Sequence, residues 1–175
     1  MEVINFPSRA IRELDPLELV VVIEICRQPS PFDVNAAAKS IGSTRRKVIR
    51  VLMSLVKKQW VFYQRGKSSE VTIIKDTTKM SMGRIPTKVF QHRKLKGRPS
   101  LLKLYAYLYT VSVDGKASYR NISLRASTGI SQRDVSRNVK ILEKEGFIKT
   151  VDKNKWVYTV ELLQGPARLR DILFK

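Results

Sequence analysis

The chain of 175 residues contains one cysteine, Cys26, and one histidine, His92. A single thiol cannot close a disulfide within the chain, and one Cys with one His cannot supply the ligands of a zinc centre. No metal or other cofactor is expected. Carboxylates are scarce as well: 15 Asp plus Glu stand against 34 Lys plus Arg, a formal net charge of +19. Two intervals hold no acid at all, from Asp33 to Glu70 and from Asp76 to Asp114. The remaining acids lack paired spacing, His92 stands alone in a basic stretch, and no phosphate-cradling glycine loop is present, so an enzyme is not expected. No apolar run approaches the ~18 residues needed to span a bilayer. The start, Met1 to Pro7, lacks the basic and apolar regions of a signal peptide. These absences lead us to expect a cytoplasmic protein without a membrane partner.

What remains is a chain that is 43% hydrophobic, enough for a packed core, and strongly basic. An excess of this size implies a polyanionic partner, nucleic acid first. Residues 1–15 read as a lead-in with a turn of helix near Ser8 to Leu14. In a first domain, 16–75, Asp15 caps, Pro16 occupies the first helical position and Glu18 reaches back to the cap. That helix, with Cys26 expected in its core face, ends before Pro29 and Pro31. Asp33 caps a helix from Val34 to Ile41, Gly42 makes the turn, and Ser43 or Thr44 caps a third helix to about Lys58. Trp60 to Gln64 and Glu70 to Ile74 are β-rich runs around a basic tip, a hairpin. Residues 76–99 read as a basic linker with a helical piece near Lys88 to Leu95.

The plan then repeats in a second domain, 100–161. A helix from Leu101 to Val111 leads to a short strand, Ala117 to Tyr119, and Asn121 caps a helix to Thr128. Ser131 and Asp134 form a capping box for a helix to Glu145. Gly146 ends it, and Phe147 to Val151 and Trp156 to Val160 make a second hairpin. Gly42 falls on Gly129 at a spacing of 87, which also places Val48 on Val135, Leu52 on Val139, Leu55 on Leu142 and Trp60 on Phe147. The tail, 162–175, turns at Gly165 and Pro166 and offers a short amphipathic helix with Leu169, Ile172 and Leu173. It would dock on the second domain or pair with another chain.

Three helices followed by a hairpin is the order of a winged helix. The turn Thr128, Gly129, Ile130 and Ser131, with the helix end Leu142, Gly146, Phe147 and Ile148, resembles bacterial winged helix-turn-helix regulators. The first copy departs from that pattern at Ala37, at the turn around Gly42, and at Gln59 where the second has Gly146. The two-unit architecture is also similar to plasmid replication initiators. The expected fold is therefore α+β and mainly helical: two winged-helix domains, each three helices plus a β-hairpin wing. The resemblance implies a sequence-specific protein on double-stranded DNA, a transcription regulator with both recognition helices in adjacent major grooves. The alternative is a plasmid or phage replication-initiation or partition protein that binds repeats. A homodimer, or the replication or transcription machinery, would be its protein partner.

The expected interface follows from the helix faces. With Val48, Leu52 and Leu55 inward, the first copy presents Ser43, Thr44, Arg45, Arg46, Lys47 and Arg50. With Val135, Val139 and Leu142 inward, the second presents Gln132, Arg133, Ser136, Arg137 and Lys140. Gln pairs bidentately with adenine and Arg with guanine, so Gln132, Arg133 and Arg137 are the base readers, while Ser131 and the first amides suit a phosphate. The more charged first copy would supply affinity and the second discrimination. The hairpin tips add Arg65, Lys67, Lys153 and Lys155. Lys96, Gly97, Arg98 and Pro99 resemble an AT-hook core, in which Arg98 would lie in a minor groove, although Pro99 also reads as a helix start. Two different half-sites in direct orientation about one turn apart would point to a monomer, whereas a palindrome of composite sites would require a dimer.

Overall fold

The computed structural model of the chain describes residues 2–28, 31–64, 70–74, 81–154 and 157–163. A strand, Val3–Pro7 (β1), leads into a short helix, Arg9–Glu13 (α1), and then three helices, Pro16–Arg27 (α2), Val34–Ile41 (α3) and Arg45–Lys57 (α4). The hairpin Val61–Gln64 (β2) and Glu70–Ile73 (β3) closes the first half. The second half runs Met82–Pro86 (β4), Thr87–Phe90 (α5), Pro99–Val111 (α6), Lys116–Tyr119 (β5), Asn121–Thr128 (α7), Gln132–Lys144 (α8), Ile148–Lys153 (β6) and Tyr158–Leu162 (β7). About half of the described residues are helical, and the strands form small antiparallel sheets, β1-β4, β2-β3 and β5-β7-β6. The chain is thus α+β.

Local chemistry sets the helix starts. Glu18 accepts from the Asp15 N–H at 2.9 Å ahead of α2. Asp33 Oδ1 accepts from the N–H groups of Asn35 and Ala36 at 2.7 and 3.1 Å and starts α3. Thr44 rather than Ser43 caps α4, accepting from the Lys47 N–H at 3.3 Å. Asn121 is not a cap: α7 already includes it, and Arg120 precedes the helix without a side-chain bond. Gly42 and Gly129, at φ 69° and 67°, supply the left-handed turns into α4 and α8. The helices α3 and α7 begin and end 87 residues apart, as do α4 and α8, while the prolines that open α2 and α6 are 83 apart. The spacing changes where β5 is inserted.

The described residues of the lead-in, 2–15, and of the expected linker, 81–99, are structured. β1 pairs with β4, and the expected helical piece at Lys88 to Leu95 is the four-residue α5 followed by turns. Short strands pairing across the whole first half leave no local periodicity to read. Their register is informative: Asn5 faces Arg84, Ile4 faces Ile85, Phe6 faces Gly83, and Pro7 faces Met82. Position by position the two strands correspond at a spacing of 79, Val3 to Met82 and Pro7 to Pro86. The two strands are paired centre to centre, Asn5 with Arg84, so the ribbon, like any such antiparallel pair, has a local two-fold axis there. The helices α2 and α6 pack on each other and on this ribbon. The exchange is reciprocal beyond it: α1 packs against α7, and the Gly97 N–H donates to the Ile41 carbonyl at the end of α3 at 2.9 Å. The two halves thus pack on one another through the ribbon, through α2 and α6, and through these flanking contacts.

One apolar core runs through both halves, from Ile4 and Phe6 through Leu52, Trp60 and Tyr105 to Phe147 and Val160. Lys103 is buried within it at the α2–α6 seam, its Nζ donating to the Leu14 carbonyl at 2.6 Å. Cys26 is exposed rather than core, because burial of α2 ends at Ile25 and its last turn reaches the surface. The expected tail helix lies outside the described residues. Among the described residues no helix is long and apolar enough to cross a membrane.

Candidate nucleic-acid interface

In α4 the residues Val48, Leu52 and Leu55 are fully buried, and the helix therefore turns Arg45, Arg46, Lys47 and Arg50 outward, all exposed. Thr44 is exposed at the cap and Ser43 is half-buried beside it. No acid lies in the first turn, and among the described residues none of the four cations makes an ion pair. Their charge adds to the positive end of the helix dipole and to the first-turn amides of Arg45 and Arg46, which have no acceptor among the described residues, a combination suited to phosphate.

The equivalent helix α8 is arranged differently. Val135 and Leu142 are buried as expected, but the stripe is completed by Asn138, whereas Val139 is only half-buried. The helix is rotated slightly relative to the pure apolar pattern, and an amide takes the place that Val51 holds in α4. Gln132, Arg133 and Lys140 are exposed, and Ser136 is half-buried. Ser131 accepts from the Asp134 N–H at 3.2 Å and donates to Asp134 Oδ2 at 2.7 Å. Arg137, whose side chain is 69% exposed, pairs with Asp134 at 2.9 Å. Such an exposed pair contributes only ~0–1 kcal/mol, so Arg137 remains available to a competing acceptor.

Helix and hairpin converge in this half. Ser136 and Lys140 of α8 and Lys153 of β6 line one groove of about 420 Å³ together with Tyr119, Asn121 and Tyr158. Tyr119 and Tyr158 stack with centroids 5.5 Å apart, and Lys153 Nζ lies 5.6 Å from the Tyr158 ring centre. Burial pushes the Tyr119 hydroxyl up to about 12, so it stays protonated and able to donate. Tyr119, Asn121 and Tyr158 were not legible as site residues, because strand and cap patterns accounted for them in the sequence.

Of the hairpin cations only Lys153 falls within the described residues, while Arg65, Lys67 and Lys155 lie outside them. Arg98 is exposed but does not belong to an extended arm. Its N–H donates to the Leu95 carbonyl at 3.0 Å, Gly97 is held on Ile41, and α6 begins at Pro99, so the segment is a turn into a helix. The AT-hook likeness gives way to the helix start. Among the described residues no group of His, Cys, Asp and Glu could hold a metal ion. No protein-family model matches the chain, and no curated protein matches it.

Proposed function

We propose that the chain is a sequence-specific double-stranded DNA-binding protein, a transcription regulator made of two winged-helix units. In this reading α4 and α8 are the recognition helices, and the hairpins β2–β3 and β6–β7 are the wings that lie along the flanking backbone. The observation that carries the reading is the outer face of α4: four exposed cations at a helix start with no carboxylate partner among the described residues. A merely solvated face gains by interleaving acids, and none occurs from Asp33 to Glu70. The second head offers the amide and guanidinium groups of Gln132, Arg133 and Arg137 to base edges. The groove holding Ser136, Lys140 and Lys153 joins that head to its wing.

The test is the salt dependence of duplex binding by the full chain. Engagement of both heads neutralises ~6–10 phosphates and gives a log–log slope of roughly −5 to −9. A slope near −2 would contradict engagement by both heads. Substituting Arg45 and Arg46 with Glu should abolish measurable binding, and a variant that binds normally would reduce the first half to a scaffold. Footprints on iterated direct repeats, rather than on single sites, would point instead to a replication or partition role.

A further inference from the structure

The first repeat supplies its own anion at the start of its long helix. The Glu18 carboxylate sits at the N-terminus of α2 and accepts from the Asp15 N–H at 2.9 Å, Ser54 Oγ at 2.8 Å and Lys58 Nζ at 2.7 Å. It is 4% exposed. Burial by itself raises its pKa, but the hydrogen bonds from Lys58, Asp15 and Ser54 outweigh that and hold it below the ordinary glutamate value.

In the second repeat every member of that arrangement is different. Arg98 stands where Asp15 does and Leu101 where Glu18 does, at the 83-residue spacing, while Ile141 replaces Ser54 and Glu145 replaces Lys58 at the 87-residue spacing. Glu145 does not substitute for Glu18, since it is turned to Lys94 at 2.5 Å, and that hydrogen bond lowers its pKa. Between the start of α6 and the flank of α8 lies a cleft of about 520 Å³, with Arg98, Ser100, Arg137, Asn138, Lys144 and Glu145 on its walls. Asn138 is 4% exposed and its Nδ2 is buried without a hydrogen-bond partner. Leaving a buried amide donor unpaired is unfavourable, which marks it as a donor awaiting an acceptor. The Ser100 N–H, in the first turn of the thirteen-residue α6, has no acceptor among the described residues. Among the described residues Arg137 pairs with Asp134, while Arg98 and Lys144 make no ion pair and act on Glu145 only by their charge.

We infer that this cleft is a phosphate-binding site, in which the start of α6, Asn138, Arg98 and Lys144 take the anion that Glu18 replaces in the first repeat, with Arg137 at its edge left to the bases. The inference rests on the DNA-binding reading for its ligand, a backbone phosphodiester beside the groove that α8 enters. A free phosphate monoester would satisfy the same chemistry, and the two sources separate experimentally.

The experiment titrates the full chain with inorganic phosphate at constant ionic strength, followed by NMR at the Ser100 amide and the Asn138 carboxamide, with chloride as the control anion. Asn138→Val installs the residue that the first repeat carries at this place, and Arg98→Gln removes an exposed charge without touching the core. Saturable shifts at both groups are expected, with phosphate bound about tenfold more weakly by each variant. A short duplex should displace the phosphate, and Arg98→Gln should lower the salt slope of duplex binding by about one. Phosphate binding that the variants weaken but the duplex does not displace assigns the site to a free monoester and rejects the backbone source. Absence of saturable shifts, or phosphate binding by both variants as tight as by the parent chain, overturns the site whether or not the chain binds DNA. A chain that binds phosphate here yet no duplex at all refutes the DNA reading and leaves the site standing.

Discussion

Gln59 and Gly146 close α4 and α8 at the same place, and both adopt positive φ, 56° and 74°. In each case the next residue, Trp60 or Phe147, donates its N–H back to the carbonyl of Leu55 or Leu142, at 2.9 and 2.8 Å. The left-handed turn is thus imposed by the need to drop a large aromatic into the core, and glycine meets it without strain whereas glutamine does not. Gln59→Gly should stabilise the chain by about 0.5–1 kcal/mol, and Gly146→Ala should destabilise it by about 1 kcal/mol, in urea unfolding. A loss of stability in Gln59→Gly would mean that the glutamine side chain outweighs its strained backbone. A second residue governs pH dependence. Burial of Lys103 lowers its pKa to about 8, below the unfolded value of about 10.4. Between those values the folded state binds fewer protons than the unfolded one, so this group makes stability rise with pH from about 8 to about 10.5, by an amount of order 2 kcal/mol. Lys103→Met should abolish that rise relative to the parent chain, and an unchanged pH profile would place the ammonium in contact with water.

At the scale of elements, what was legible in the sequence is what is local. The bounds of α3, the caps Asp33 and Ser131, the turns at Gly42 and Gly129 and both hairpins follow from signals within a few residues, whereas the choice of Thr44 over Ser43 as cap did not. The ribbon of β1 and β4 was not legible, since each strand is five residues long and its partner lies far away in the chain. Asn138 escaped notice for a related reason, because the 3.6-residue pattern assigned that burial to Val139. The ribbon depends on one close approach: a Cβ added to Gly83 would lie 2.5 Å from the Phe6 ring, which is itself fully buried. Gly83→Ala should cost ~1–3 kcal/mol by overpacking. Phe6→Leu should recover part of that loss in the double variant even though it is destabilising alone, a coupling read from a double-mutant cycle. Strict additivity would show that the two residues do not meet.

At the scale of the whole molecule, the β1-β4 ribbon bears on the arrangement of half-sites that the proposed DNA-binding function predicts. A chain with two heads in line would meet half-sites in direct orientation, but β1 against β4 and α2 against α6 set the halves facing one another. In the DNA-binding reading proposed above, heads placed on either side of the antiparallel ribbon would match half-sites in opposed orientation, as two-fold dimers do. The heads are not chemically equal, however: α4 presents Arg45, Arg46, Lys47 and Arg50, and α8 presents Gln132, Arg133, Arg137 and Lys140. Selection of bound duplexes from random sequence by the full chain should therefore yield an inverted but imperfect repeat, its half-sites about 10–10.5 base pairs apart or a multiple of that. Gln132→Ala with Arg137→Ala should relax base preference in one half-site only. Arg45→Ala with Arg46→Ala should weaken binding to all sequences more evenly and flatten the salt dependence. Half-sites in direct orientation would contradict the dyad as the frame of recognition, because reading them would require one head to turn over relative to a core that both halves share.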